Sequence, residues 1–123
     1  MKYMLLIYAD ERAGVEARAG MSEEEQQKYL QAWFDYGDWL GQKGWLVAGD
    51  ALQDTSQATS VRVHDGERVV TDGPFAETKE QLGGYYLLDV EHLDDAIEAA
   101  AACPGAAYGT IELRPLMEFE QPS

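Results

Sequence analysis

The stretches Lys2 to Ala9 and Gly84 to Val90 are apolar on both of their alternating sets: Tyr3, Leu5 and Ile7 against Met4, Leu6 and Tyr8 in the first, and the consecutive Tyr85, Tyr86, Leu87 and Leu88 in the second. Strands of that kind need cover on both faces and belong in the middle of a sheet. Helices to supply the cover are few. From Glu23 to Gln42 the residues Tyr29, Leu30, Trp33, Phe34, Tyr36 and Leu40 fall mostly at three- and four-residue spacings. From His92 onward Leu93, Ala96, Ile97, Ala100 and Ala101 do the same until Pro104 stops them. Two helices shield one side of such a sheet. The other side calls for a second sheet, most economically that of a symmetry mate, so the expected assembly is a homodimer with its sheets packed face to face.

The remaining elements follow from local signals. Asp10 to Met21 is polar and contains glycine, and reads as a loop. Ser22 with Glu25 three residues on forms a capping box that starts the first helix, and Gly44 suits its left-handed end. Trp45 to Leu52 reads as a strand, and Val61 to His64 with Glu67 to Val70 as a hairpin turned by Asp65 and Gly66. In a closing strand from Ala107 to Leu116, Ile111 and Leu113 take one face and Glu112 and Arg114 the other. The order strand, helix, strand, hairpin, strand, helix, strand is a ferredoxin-like split βαβ plan, of class α+β, with an inserted β-hairpin. One domain over residues 1–117 and a polar tail over 118–123, expected to fray, account for the chain.

Composition narrows the partners. With 9 basic against 23 acidic residues the formal charge is −14, which repels phosphate backbones and anionic lipid alike, so neither nucleic acid nor membrane is expected as a partner. The opening apolar run is too short for a signal-peptide core or a membrane span. The lone Cys103 rules out an internal disulfide and fits a reducing cytoplasm. One thiol and two histidines make a poor metal cage, and no cofactor is expected.

Between the hairpin and the second two-faced strand lies the loop Thr71, Asp72, Gly73, Pro74, Phe75. Pro74 fixes its own φ and pushes Gly73 toward extended geometry, while Asp72 can fold onto backbone N–H groups two residues on. Through this loop and its continuation, Ala76, Glu77, Thr78, Lys79, Glu80, Gln81, Leu82, Gly83, Gly84, Tyr85, the chain resembles the YCII-related proteins and specifically their DGPF branch. The likeness extends to Lys2 through Tyr8, Val47 through Leu52, Cys103 with Pro104, and Gly109 with Ile111 through Pro115. The resemblance implies a dimeric α+β barrel with a pocket between helices and sheet in each subunit. It also implies a regulatory or stress setting, since genes of this branch are often found beside those of extracytoplasmic-function sigma factors. Some YCII-related proteins look like enzymes that pair a histidine on the first helix with an aspartate; here Glu23 to Gln42 holds no histidine, so that chemistry does not transfer.

Several side chains can carry a site. Asp72 and Glu77 are the candidate acid and base, although an aspartate before Gly-Pro also serves the turn. Lys79 can orient a polar substrate and Phe75 can anchor an apolar one. Arg114 beside Glu112 can clamp a ligand carboxylate, or the two can form an interface salt bridge. Tyr8, Tyr85 and Tyr86 can line a pocket for a small aromatic compound or simply fill the core. His64, His92 and Cys103 have no partners that suggest chemistry. Three functions fit: a dimer that binds a small polar or aromatic metabolite, a cofactor-independent isomerase or lyase using Asp72 or Glu77 with Arg114 as anion anchor, and an acidic protein-interaction module.

Overall fold

A computed structural model describes residues 1–120; the last three residues of the expected polar tail lie outside the described residues. Strand β1 (Lys2–Ala9) is followed by helices α1 (Glu11–Ala19) and α2 (Glu23–Gln42), strand β2 (Leu46–Ala51), strands β3 (Thr59–His64) and β4 (Glu67–Asp72), strand β5 (Gln81–Asp89), helix α3 (Leu93–Ala102) and strand β6 (Thr110–Pro115). The fold is mixed α+β. Four strands form an antiparallel sheet in the order β2-β5-β1-β6, with the two-faced strands β1 and β5 central, while β3 and β4 form a separate two-stranded ribbon.

Tyr3, Leu5 and Ile7 of β1 point to the helix side with Leu88, and there meet Tyr36 and Leu40 of α2, Ala96 and Ala99 of α3, and Cys103. Leu5, Leu40 and Leu88 are fully buried, each removal from water stabilising by roughly 1.5–3 kcal/mol. The small side chains of α3 let it approach closely, and the Tyr36 hydroxyl bridges the helices by donating to the Ala99 carbonyl at 2.6 Å. On the opposite face Met4, Leu6, Tyr8, Tyr85 and Leu87 are only half-buried, and Glu112 and Arg114 of β6 are exposed there beside Leu6 and Met4.

Two local expectations need correction. The segment expected as a loop from Asp10 contains α1: the Asp10 carboxylate caps it by accepting from the Ala13 N–H at 3.1 Å, with Glu11 in its first turn and Arg18 in its last. Its single large apolar side chain, Val15, gives no amphipathic period, and none of its residues is buried. Second, Gly73 takes φ +92° rather than an extended conformation. A following proline restricts the α region, but glycine has the mirror-image basins open to it. Its N–H donates to the Ala58 carbonyl at 2.7 Å and its carbonyl accepts from the Ser60 hydroxyl at 2.8 Å, which ties the ribbon's two ends together. At the other end Asp65 and Gly66, with φ of 49° and 79°, make the tight turn expected of an Asp-Gly hairpin. Among the described residues no helix is long and apolar enough to cross a membrane.

Candidate functional site

Where α2 runs out beyond the core, its aromatic face is not covered by the sheet. Tyr36 and Leu40 are buried, but Leu30 and Phe34, earlier in the helix, are 56% and 62% exposed. Between this part of α2, the helix side of β1 and β5, the edge strand β2 and the overlying α1 lies a cavity of about 620 Å³. Tyr29, Trp33, Tyr86 and Tyr108 wall it. Tyr29 meets both Trp33 and Tyr108 edge-on, at 6.5 and 6.0 Å between ring centres, and Tyr86 meets Tyr36 edge-on at 5.4 Å. These contacts fix the rings against one another, each pair adding about 0.5–1.5 kcal/mol beyond burial.

Two glycines make room for the wall. A Cβ at Gly49 would lie 2.5 Å from the Tyr86 ring, and one at Gly105 would lie 3.1 Å from Ile7 and 3.2 Å from Trp33. A side chain at Gly49 would have to displace the Tyr86 ring, and one at Gly105 would crowd Ile7 and Trp33.

A second cavity, of about 530 Å³, lies beside the first and is polar. It is lined by Asp10, Glu11 and Arg12 at the start of α1, by Thr55 and Ser56, and by the loop residues Pro74, Ala76, Glu77, Thr78, Lys79 and Gln81. Asp10 and Glu11 line both cavities, so the start of α1 is the partition. Glu11 holds that partition in place. One carboxylate oxygen accepts the Thr55 N–H at 3.0 Å and the other the Thr55 hydroxyl at 2.7 Å, while the Glu11 N–H donates to the Gln81 side-chain carbonyl at 2.9 Å. The Gln81 amide donates in turn to the Thr78 carbonyl, and the Thr78 hydroxyl to that of Glu80 at 2.6 Å. Much of the motif after Phe75 is thus spent on bracing the loop against α1.

Among the residues singled out from sequence, Glu77 and Lys79 line the polar cavity. Asp72 ends β4 and lies outside both cavity walls, as does Phe75, which is 78% exposed. Tyr8, Tyr85, Glu112 and Arg114 belong to the sheet face turned away from the helices. The Tyr85 hydroxyl donates to the Asp50 carboxylate at 2.7 Å, and that bond pushes its pKa above the ordinary tyrosine value. Glu112 and Arg114 belong to none of the ion pairs among the described residues. Tyr86, one residue along, is the tyrosine that reaches the aromatic cavity. Cys103 is buried, which raises its thiol pKa against the pull of the Gly105 and Ala106 N–H groups and the Tyr36 hydroxyl. His64 pairs only with Asp65 at the exposed hairpin turn, at 3.3 Å, and no group of three or more metal-ligating side chains gathers among the described residues.

Glu11, Thr55, Tyr29, Trp33 and Tyr108 are the site residues that sequence reasoning did not single out. The available signal was small: Asp10 ahead of Glu11 and an alanine-rich run, which mark a helix start, and three aromatic residues on one face of α2, which the period alone assigns to the core.

Comparison with known proteins gives two matches. The model of the YCII-related domain matches residues 1–120. An uncharacterised protein of Rhizobium meliloti (strain 1021) is 36% identical over 122 residues, which cover 98% of this chain and 95% of that protein.

Proposed function

Since the chain belongs to the YCII-related family, we propose that it is a cytoplasmic small-molecule-binding protein of that family's DGPF branch, one domain over residues 1–117. In this reading it holds a polar or aromatic metabolite in the cavity between α2 and the sheet and serves a regulatory or stress response. The observation that carries this reading is the aromatic wall of Tyr29, Trp33, Tyr86 and Tyr108 around about 620 Å³ of space. That volume is in the range of about 300–1,000 Å³ typical of small-molecule sites. Rings that only filled a core would leave no such space.

The subunit pairs with a second copy through the sheet face away from the helices, giving a dimeric α+β barrel. The strand order β2-β5-β1-β6 supports the ferredoxin-like plan on which such barrels are built. The half-buried Met4, Leu6 and Leu87 supply the apolar centre of the interface, with Glu112 and Arg114 at its edge. Light scattering on the purified protein tests the pairing: a dimer is expected, Leu6→Asp should convert it to monomer, and a monodisperse monomer of the unaltered protein at micromolar concentration refutes it.

Thermal-shift screening of small polar and aromatic metabolites tests the site. A ligand at a hundred times its Kd stabilises by about 2.7 kcal/mol, and Leu30→Trp, which fills the cavity from its exposed rim, should abolish the shift. Stabilisation that survives Leu30→Trp would place the ligand elsewhere.

One observation favours a second reading, cofactor-independent acid–base chemistry. Glu77 and Lys79 of the motif loop share the polar cavity with Glu11 and Arg12, a grouping that can move a proton on Glu77 while cations hold an anionic substrate. Asp72 and Arg114, lying elsewhere, would take no part. Glu77→Gln should then abolish turnover of any substrate found, and turnover that persists would exclude the assignment.

A further inference from the structure

Charge at the aromatic cavity is unevenly distributed. Asp10, Glu11 and Asp54 line it together with a single guanidinium, that of Arg18. Asp10 and Glu11 lie on the same side of the cavity as Asp54, because the Glu11 bonds to Thr55 bring the start of α1 against the residue that follows Asp54. Ser56 donates its hydroxyl and N–H to Asp54, which holds that carboxyl below its ordinary pKa. Arg18 offers little compensation: its Nη1 lies 3.3 Å from where a Cβ at Gly14 would be, so the guanidinium folds back along its own helix. Asp50 adds nothing to the count, since its carboxylate shares the Tyr85 face of the sheet.

Such a site discriminates by charge. A carboxylate or phosphate would meet three like charges for one opposite. A neutral ring would gain only area. A cation gains twice, from carboxylates on one side and from the electron-rich faces of indole and phenol rings along the walls. The chain's formal charge of −14 also raises the local concentration of cations around the mouth.

We infer that the ligand of this cavity is an organic monocation, an aromatic or alkyl amine or quaternary ammonium. Its head lies toward Asp10 and Asp54, and its apolar body lies on Tyr29, Trp33 and Tyr86. This rests on the reading of the cavity as a binding site and goes beyond it by naming the chemical class.

Three probes of one shape separate the two claims: phenethylamine, 2-phenylethanol and 3-phenylpropanoate, titrated against the full chain with calorimetry and tryptophan fluorescence as readouts. Phenethylamine should bind about tenfold tighter than the alcohol, within what cation–π and carboxylate contacts supply, and the propanoate weaker than either. Asp10→Asn and Asp54→Asn keep the helix-capping function, which asparagine serves as well as aspartate. Together they should cut the amine's advantage over the alcohol to about threefold or less. Alcohol or propanoate binding as tightly as the amine, with Leu30→Trp blocking all three, overturns the cation assignment and leaves the cavity reading standing. Failure of all three probes to bind, or binding that Leu30→Trp does not disturb, overturns both.

Discussion

Replacing Glu11 by alanine should loosen α1 without loosening the protein. The side chain accepts two hydrogen bonds from Thr55, at 3.0 and 2.7 Å, in a half-buried setting. Bonds to a charged acceptor contribute about 1.5–3 kcal/mol each when well shielded; with water competing at this depth the pair is worth about 2 kcal/mol. That loss falls on a helix with no buried residue, otherwise fastened through the Glu11 N–H to Gln81 and, just past its end, by the Gln26 amide on the Arg18 and Met21 carbonyls. α1 can therefore open while the core stays closed. Hydrogen exchange followed by mass spectrometry should show the amides of residues 11–19 and 55–58 exchanging about ten- to thirtyfold faster, since 1.4 kcal/mol is tenfold. The melting temperature should fall by no more than about 2 °C. Glu11→Gln, which keeps one acceptor oxygen and loses the charge, should show about half the effect. Exchange in residues 11–19 that stays at the unaltered rate would refute the latch, and acceleration of every segment together would refute the independence of α1 from the core.

Gly49→Ala places a methyl 2.5 Å from the Tyr86 ring and should cost about 1–3 kcal/mol in urea unfolding. Tyr86→Leu in the same chain should recover most of it, and additive costs would show that the clash lies elsewhere. Tyr36, Tyr86 and Cys103 all have pKa values raised by burial. The folded chain keeps these protons to higher pH than the unfolded chain does, so their contribution is whole below the ordinary thiol value of 9.0 and is lost as pH climbs past that and past the tyrosine value of 10.0. Tyr36→Phe should lessen the decline above pH 10.0 by about 1.4 kcal/mol per pH unit, and an unchanged slope by denaturant titration would contradict the burial. The Cys103 thiol should react with an aromatic disulfide reagent only as fast as the chain unfolds, so modification at the rate of a free thiol in native buffer would show that it is not enclosed.

The parts of the fold that could be read from sequence are those in which one period admits one answer. The double apolar sets of Lys2 to Ala9 and Gly84 to Val90 can be satisfied only by central strands, and Asp65-Gly66 between β-rich runs only by a tight hairpin turn. α1 escaped because its capping aspartate and helix-forming composition were outweighed by glycine and by the want of an apolar stripe. Tertiary bonds from Glu11, which no local pattern signals, supply what the stripe would have given.

The candidate site was legible as an inventory of residue types and not as an arrangement. Tyr85 and Tyr86 are chemically alike and adjacent, and the pleat sends one to each side of the sheet. Which goes where depends on register: Leu5 pairs with Tyr86 and Leu6 with Tyr85, and beyond Ile7 the unpaired Gly83 shifts the count by one. Register in turn is fixed by side chains far along the chain, because only this pairing puts Leu88 opposite Tyr3 in the core and leaves Gly49 opposite Tyr86, where no side chain would fit. The same reasoning separates the two ends of α2. Its spacing marks a continuous apolar face from Tyr29 to Leu40, but the sheet beneath covers only the half that meets Leu5 and Leu88, and the other half walls a cavity. A helix that stands off part of the sheet it packs on thus offers a binding surface made of the same residue types as the core, and sequence cannot tell the two halves apart until strand register is known.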